Sequence, residues 1–309
     1  MNRLYQALDM TKQSFFQMLK RRKREQQVGE QVLQQVDQIR RDHPRMGVRC
    51  LYPRIKAPGM GRDRFEKLCF KHGYRVKKQR NYRVTTDSRG VIRFPNLVKQ
   101  GELTAVNQAL VSDITFYEMQ GRFYYLTLIM DLFNREIVGY SAARSLRTRD
   151  TTLPAIRLVK KNLGRDVLKG AIIHSDGGGQ YYSNEFKKLT GDLKMRNSMT
   201  GETVYENANA ERVNGTIKNS YLYCYGPETF EQLKKQLKRA VHMYNCEKPH
   251  MALNQMTPAE YRKAHSVDFE NNSSLIPGYF PKSTEHHHSH TIDGIKIKKK
   301  TMSNSVNVI

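Results

Sequence analysis

Leu110-Val111-Ser112-Asp113-Ile114-Thr115-Phe116 is an apolar, β-branched run with one carboxylate at its centre. Residues of this kind favour a pleated strand. A carboxylate among apolar neighbours is costly to bury unless it is paired or holds a metal. Working outward, 109–119 is a candidate strand, 123–133 a second, and 136–142 a third beyond a tight turn at Asn134-Arg135. Downstream, helical periodicity at 150–163, 184–193, 207–221 and 228–244 is interleaved with short strands at 170–174 and 195–199. Hairpin-linked strands followed by alternating helices and strands predict an α/β fold, a mixed five-stranded sheet with helices on its faces.

Two further acids stand out by their surroundings. Asp176 follows the apolar strand Ala171-Ile172-Ile173-His174-Ser175 and opens onto Gly177-Gly178-Gly179, while Glu211 lies inside the helix expected at 207–221. Glycines let a backbone or ligand approach closely. Hard divalent cations select carboxylate oxygens, and two such ions about 3.5–4 Å apart can activate an attacking oxygen and stabilise a leaving one. Acids from two strands and a helix are enough to build that clamp. Taken singly, Asp113 could end a strand, Asp176 could be a turn aspartate, and Glu211 a solvated helix residue. Asp131 reads as a structural strand acid, and His174 as a core or supporting histidine.

Charge is unevenly placed. The net charge is +24, and residues 1–100 carry 25 Lys and Arg against 8 Asp and Glu. Such polarity is the footprint of a polyphosphate partner, whose condensed counterions are released on contact. Residues 1–27 suggest a helical hairpin in which Thr11 caps the second helix and Lys20-Arg21-Arg22-Lys23-Arg24 breaks the apolar pattern. Helices at 28–42, 48–56 and 62–72 follow. The last two flank a Gly-bearing turn, and the second carries Arg62, Arg64 and Lys67, matching a helix-turn-helix whose second helix enters the major groove. Lys77 and Lys78 begin a basic, turn-rich stretch and are further candidate phosphate contacts.

No apolar run approaches the roughly 20 residues of a membrane helix, mean hydropathy is −0.71, and the N-terminus lacks a secretory apolar stretch. Cys50, Cys69, Cys224 and Cys246 form no CxxC pair, which fits reduced thiols in the cytoplasm. His43, Cys50, Cys69 and His72 match no standard zinc spacing.

Five ordered blocks carry a resemblance. They are Asn107-Gln108 through Ser112-Asp113-Ile114-Thr115; Met130-Asp131-Leu132-Phe133-Asn134-Arg135-Glu136-Ile137-Val138-Gly139-Tyr140-Ser141; and His174-Ser175-Asp176-Gly177 with Gly179-Gln180-Tyr181. Glu206-Asn207-Ala208 through Ala210-Glu211 and Tyr244-Asn245-Cys246-Glu247-Lys248-Pro249-His250-Met251-Ala252-Leu253 complete them, with Thr257-Pro258-Ala259-Glu260-Tyr261 close behind. On these residues the chain resembles the OrfB transposases of the insertion-sequence-three family, which share a DDE catalytic core with retroviral integrases. It departs from them at Leu110 (usually Trp), Gly177 (commonly Gln or Arg) and Glu206 (usually Asp).

The resemblance implies an RNase H-like core at 106–264. A helical hairpin at 1–27, a helix-turn-helix-like DNA-binding region at 28–80, a linker at 81–105 and a basic, His-containing flexible tail at 265–309 complete the expected organisation. It implies that Asp113, Asp176 and Glu211 bind two Mg²⁺ or Mn²⁺ ions. Glu211 follows Asp176 by 35 positions (211 − 176), as the family's spacing requires. A basic residue is expected seven positions after the glutamate, at Lys218. Seven residues are nearly two helical turns, so Lys218, Asn207 and Asn214 share Glu211's face and join the expected DNA contacts. The expected activity is metal-dependent DNA cleavage and strand transfer. The expected partners are terminal inverted repeats, target DNA, further copies of the chain and the protein of an upstream reading frame, in the cytoplasm at the nucleoid. Other readings are a catalytically inactive DNA-binding regulator and a stand-alone RNase H-like nuclease.

Overall fold

A computed structural model of the chain describes residues 10–77, 94–98, 103–200, 208–270, 291–292 and 295–296. The chain divides into two compact units, Met1–Gln79 and Arg80–Ile309. Asn207, Lys78, and most of the expected linker and tail lie outside the described residues. Among the described residues no helix is long and apolar enough to cross a membrane.

Among its described residues the first unit has three helices, α1 (Lys12–Asp42), α2 (Val48–Ile55) and α3 (Arg62–Lys71). Thr11 caps α1, its hydroxyl oxygen accepting the Ser14 N–H at 3.1 Å. The helix then runs unbroken through Lys20–Arg24 to Asp42, so the second helix expected within 1–27 and the helix expected at 28–42 are one element, while the hairpin's first helix falls on 1–9, outside the described residues. Lys, Arg, Gln and Glu are good helix formers, and an interruption of the apolar pattern exposes a helix without ending it. Val32 and Val36 of α1 pack with Leu51, Ile55, Phe65 and Cys69 in one core. The half-buried Arg40 guanidinium crosses to the carbonyls of Met46 (3.0 Å) and Tyr74 (2.7 Å), fastening the far end of the unit. Gly59, at φ +65°, makes the turn between α2 and α3.

The second unit is organised on a five-stranded sheet. Strands β1 (Ala109–Met119), β2 (Arg122–Asp131) and β3 (Ile137–Ala143) form an antiparallel meander. After α4 (Thr152–Leu163), strand β4 (Ile172–Ser175) pairs parallel to β1; after α5 (Asn184–Asp192), β5 (Arg196–Met199) pairs parallel to β4. The order β3-β2-β1-β4-β5 is that of an RNase H-like fold. Gln120 and Gly121, both at positive φ, supply the two-residue turn between β1 and β2.

The two faces of the sheet bury different helices. Leu110, Ile129 and Ile173 face Ala155, Ile156 and Val159 of α4 and Phe186 of α5. Val111, Tyr117, Leu128 and Met130 face the helices that follow β5. These are α6 (Ala208–Thr216), which widens into a π-helical stretch at Ile217–Leu222 and one last turn at Tyr223–Tyr225, then α7 (Phe230–Cys246) and α8 (Pro258–Glu270). Each fully buried Leu or Ile contributes about 2 kcal/mol. Asn245 of α7 accepts the Ile137 N–H and donates to the Ile137 carbonyl, both at 2.9 Å, tying the last helices to the start of β3.

Asp131 ends β2 and is 1% exposed. It accepts the backbone N–H groups of Asn107 (2.5 Å) and Phe133 (2.7 Å), with Asn134 also donating. Burial raises its pKa to about 6 and these donors oppose the rise. Asp131→Ala strands the donors, and a loss of about 2 kcal/mol is expected. In thermal unfolding that corresponds to about 4–8 °C; an unchanged midpoint would show that water replaces the carboxylate at no cost.

Candidate active site

The parallel register between β1 and β4 pairs Ser112 with Ser175. The next residue on each is an acid, Asp113 and Asp176, so the two emerge side by side from strands about 4.8 Å apart. Asp176 is held by its own turn, its Oδ1 accepting the Gly178 N–H at 3.1 Å. A Cβ on Gly178 would stand 3.0 Å from that oxygen, so a side chain there would push the carboxylate aside by a few tenths of an ångström. Beneath the pair, the buried Tyr181 hydroxyl meets Ser112 Oγ at 2.8 Å.

Helix α6 packs beside β1 and carries Glu211, which is exposed and whose charge acts weakly on Asp113. Asn214, one turn beyond Glu211, donates from Nδ2 to Asp113 Oδ2 at 2.7 Å. Positions three apart share a helical face, so the contact places Glu211's face against Asp113. Lys218 lies where α6 becomes π-helical, and its Nζ donates to the Phe116 carbonyl of β1 at 3.1 Å.

Electrostatics tie these groups together. Burial raises the Asp113 carboxyl to about 7, and the nearby charges of Asp176 and, more weakly, Glu211 add to the rise, while Asn214 opposes it. Asp176 is raised by burial against the Gly178 N–H. The Tyr181 phenol is pushed far up by burial and by both aspartates. Lys218 is lowered by burial and sustained by Asp113. Asp113 and Asp176 are thus two desolvated acids that repel each other, a condition that a hard cation relieves. Among the described residues no group of three or more His, Cys, Asp or Glu is already arranged to hold a metal ion.

The remaining candidates are dispersed. Arg62, Arg64, Lys67 and Lys77 are exposed in the first unit. Arg62 pairs with Asp63 at 3.3 Å and Arg64 with Glu25 at 3.1 Å. Cys69 is fully buried in that unit's core. His174 meets Ser198 Oγ at 2.9 Å, across from β4 to β5. The Ser112–Tyr181 contact and the Gly178 clasp were not assigned from sequence. Glycine enrichment after Asp176 was their only local signal.

An RNase H-like sheet with one acid on its central strand β1 and another just past the end of the neighbouring β4 is the arrangement of a polynucleotidyl transferase core. The integrase core domain family matches residues 104–202, and a second integrase core domain matches 194–258. The chain is 33% identical over 189 residues to a transposase-like protein of Haemophilus influenzae, covering 60% of this chain and 84% of that protein. It is 29% identical over 225 residues to the 31 kDa protein of insertion element IS600 of Shigella sonnei, covering 71% and 82%. With the transposase for insertion sequence element IS904 of Lactococcus lactis it shares 27% over 179 residues, covering 56% and 68%. A simian T-cell lymphotropic virus intasome contains a chain that superimposes with a TM-score of 0.48 at 20% identity, covering 81% of both chains. The chain belongs to the integrase-core, DDE-type transposases of bacterial insertion sequences.

Proposed function

We propose that Asp113, Asp176 and Glu211 hold two Mg²⁺ or Mn²⁺ ions, and that the enzyme cuts and rejoins DNA strands at the ends of an insertion sequence. The observation that supports this most directly is the β1–β4 register that sets Asp113 beside Asp176, with Glu211 near enough to act on Asp113. When bound, two such ions sharpen the attacking oxygen and steady the departing one. The protein's part is to fix oxygens in place. Strand β1 holds Asp113, the Gly178 N–H holds Asp176, and α6 carries Glu211 to them. Water, and then the freed 3′-hydroxyl, attacks a phosphodiester phosphorus in line. Each step forms one P–O bond, breaks another, loses a proton from the attacking oxygen and returns one to the leaving O3′. Positioning and charge neutralisation supply most of the acceleration.

Lys218, Arg62, Arg64, Lys67 and Lys77 would contact DNA phosphates. In this reading a helix-turn-helix-like region within 28–80 grips the terminal repeats, 81–105 links it to the core at 106–264, and the basic tail at 265–309 adds phosphate contacts. The enzyme would act in the cytoplasm at the nucleoid, as a multimer on DNA with the product of an upstream frame.

The test is cleavage and joining of terminal-repeat DNA at varied metal and pH. Mg²⁺ or Mn²⁺ should support both steps and EDTA should abolish them. Protons compete with metal for Asp113, whose folded pKa is about 7 against an ordinary 3.8. Metal affinity should therefore climb about tenfold per pH unit up to about pH 7 and then level off. Cleavage in EDTA, or an affinity flat from acid to neutral pH, would overturn the assignment.

A further inference from the structure

Asn214 was expected among the DNA contacts because it shares Glu211's helical face. Its surroundings give it different work. The side chain is 3% exposed, and its one assigned donor contact goes to Asp113 Oδ2 at 2.7 Å. Its Oδ1 is buried with no hydrogen-bond partner. No edge of this amide is presented to an incoming phosphate.

The orientation of the amide is dictated by its neighbour. Turning it over would set its oxygen against an acceptor whenever Asp113 is ionised, as it must be to hold a metal. The donor therefore stays on Asp113 while the acceptor end goes unsatisfied, an arrangement that buried polar groups rarely keep. Two things follow from the contact. It fixes the carboxylate by Oδ2, alongside the Ile114 backbone N–H that also donates to it. It also bolts α6 to β1 three residues from Glu211, the acid that must close on the other two. Partners of this kind orient metal-binding carboxylates in other proteins, and losing them costs about 10–100-fold in metal affinity.

We propose that Asn214 is a positioning residue of the metal site: its amide holds Asp113 by one oxygen and anchors α6 to β1, so that Asp113 and Glu211 face a common divalent cation. The inference rests on the reading of Asp113, Asp176 and Glu211 as the metal-binding acids.

The experiment uses the full chain and three measurements: Mn²⁺ binding by calorimetry, binding of a fluorescent DNA duplex in EDTA, and thermal unfolding in EDTA. Asn214→Leu matches the size of Asn without a donor, Asn214→Ala removes the side chain, and Asn214→Gln keeps an amide. Asn214→Ala and Asn214→Leu should weaken Mn²⁺ binding about 10–100-fold, with Asn214→Gln falling between them and the natural protein. DNA affinity in EDTA should stay within about twofold, because no phosphate contact is lost. If either folded variant keeps natural Mn²⁺ affinity, or loses DNA binding in EDTA by about tenfold, the positioning role is wrong. Asp113→Asn separates the two levels. If it binds Mn²⁺ as well as the natural protein, the triad reading falls; if it loses Mn²⁺ while Asn214→Leu does not, only this inference falls.

Discussion

Asp113→Asn is expected to abolish strand cleavage and joining, by about 10³-fold or more, while making the metal-free protein more stable at alkaline pH. The two effects have one cause. In the folded chain the carboxyl ionises near pH 7, in the unfolded chain near its ordinary 3.8. The folded state thus holds a proton that the unfolded state has released, and metal-free stability falls as pH rises from about 4 to about 7. Asparagine has no proton to lose and escapes that fall. It forfeits the charge-assisted bond from Asn214, so the net gain at pH 8 is set at about 5 °C in the unfolding midpoint, from roughly 2 kcal/mol. The gain should vanish at pH 4 and be reversed by Mg²⁺, which stabilises only the natural protein. Cleavage within tenfold of normal, or a lower midpoint at pH 8 without metal, would remove Asp113 from the proposed role.

Gly139→Val is expected to cost about 3 kcal/mol or more, by forcing overpacking between β3 and α4. A Cβ at position 139 would lie 2.4 Å from Val159 Cγ2 and 2.6 Å from the Ala155 carbonyl oxygen. The second neighbour is backbone, so a rotamer change in Val159 leaves the clash in place and the helix has to lift from the sheet. That separation also exposes Ile129 and Ile156, which belong to the same core. The unfolding midpoint should drop by about 6–12 °C, and Gly139→Ala should produce much of the same loss, since the clash begins at Cβ. A midpoint within about 2 °C of normal in Gly139→Ala would mean that α4 moves at almost no cost.

The sequence carries the sheet more plainly than it carries the site. Alternating and β-branched runs mark β1 at 109–119, and Thr11 is recognisable as a cap, because both signals are local. Continuity of α1 through Lys20–Arg24 is hidden, since an exposed charged turn of helix and a loop have similar composition. The π-helical stretch at Ile217–Leu222 is hidden as well. Its hydrogen bonds span one residue more than those of an α-helix and it uses the same side chains. For the acids, the family's blocks single out Asp113, Asp176 and Glu211, yet the grip of Asn214 on Asp113 joins residues 101 apart and has no local mark. Sharing Glu211's helical face suggested a DNA contact for Asn214. Which way that face looks is decided by packing of α6 on β1.

The parallel pairing of β1 with β4 has a consequence for synthesis on the ribosome. Asp113 gains its neighbour only when Ile172–Ser175 docks beside Ala109–Ser112, across a long crossover whose closure entropy must be met before any contact rewards it. Gene fragments ending ahead of that crossover encode a polypeptide with one acid and an open sheet edge. Such a product can still present the basic N-terminal helices, but it lacks Asp176 and Glu211, so on the proposed reading premature termination disarms the protein before any cutting centre can assemble.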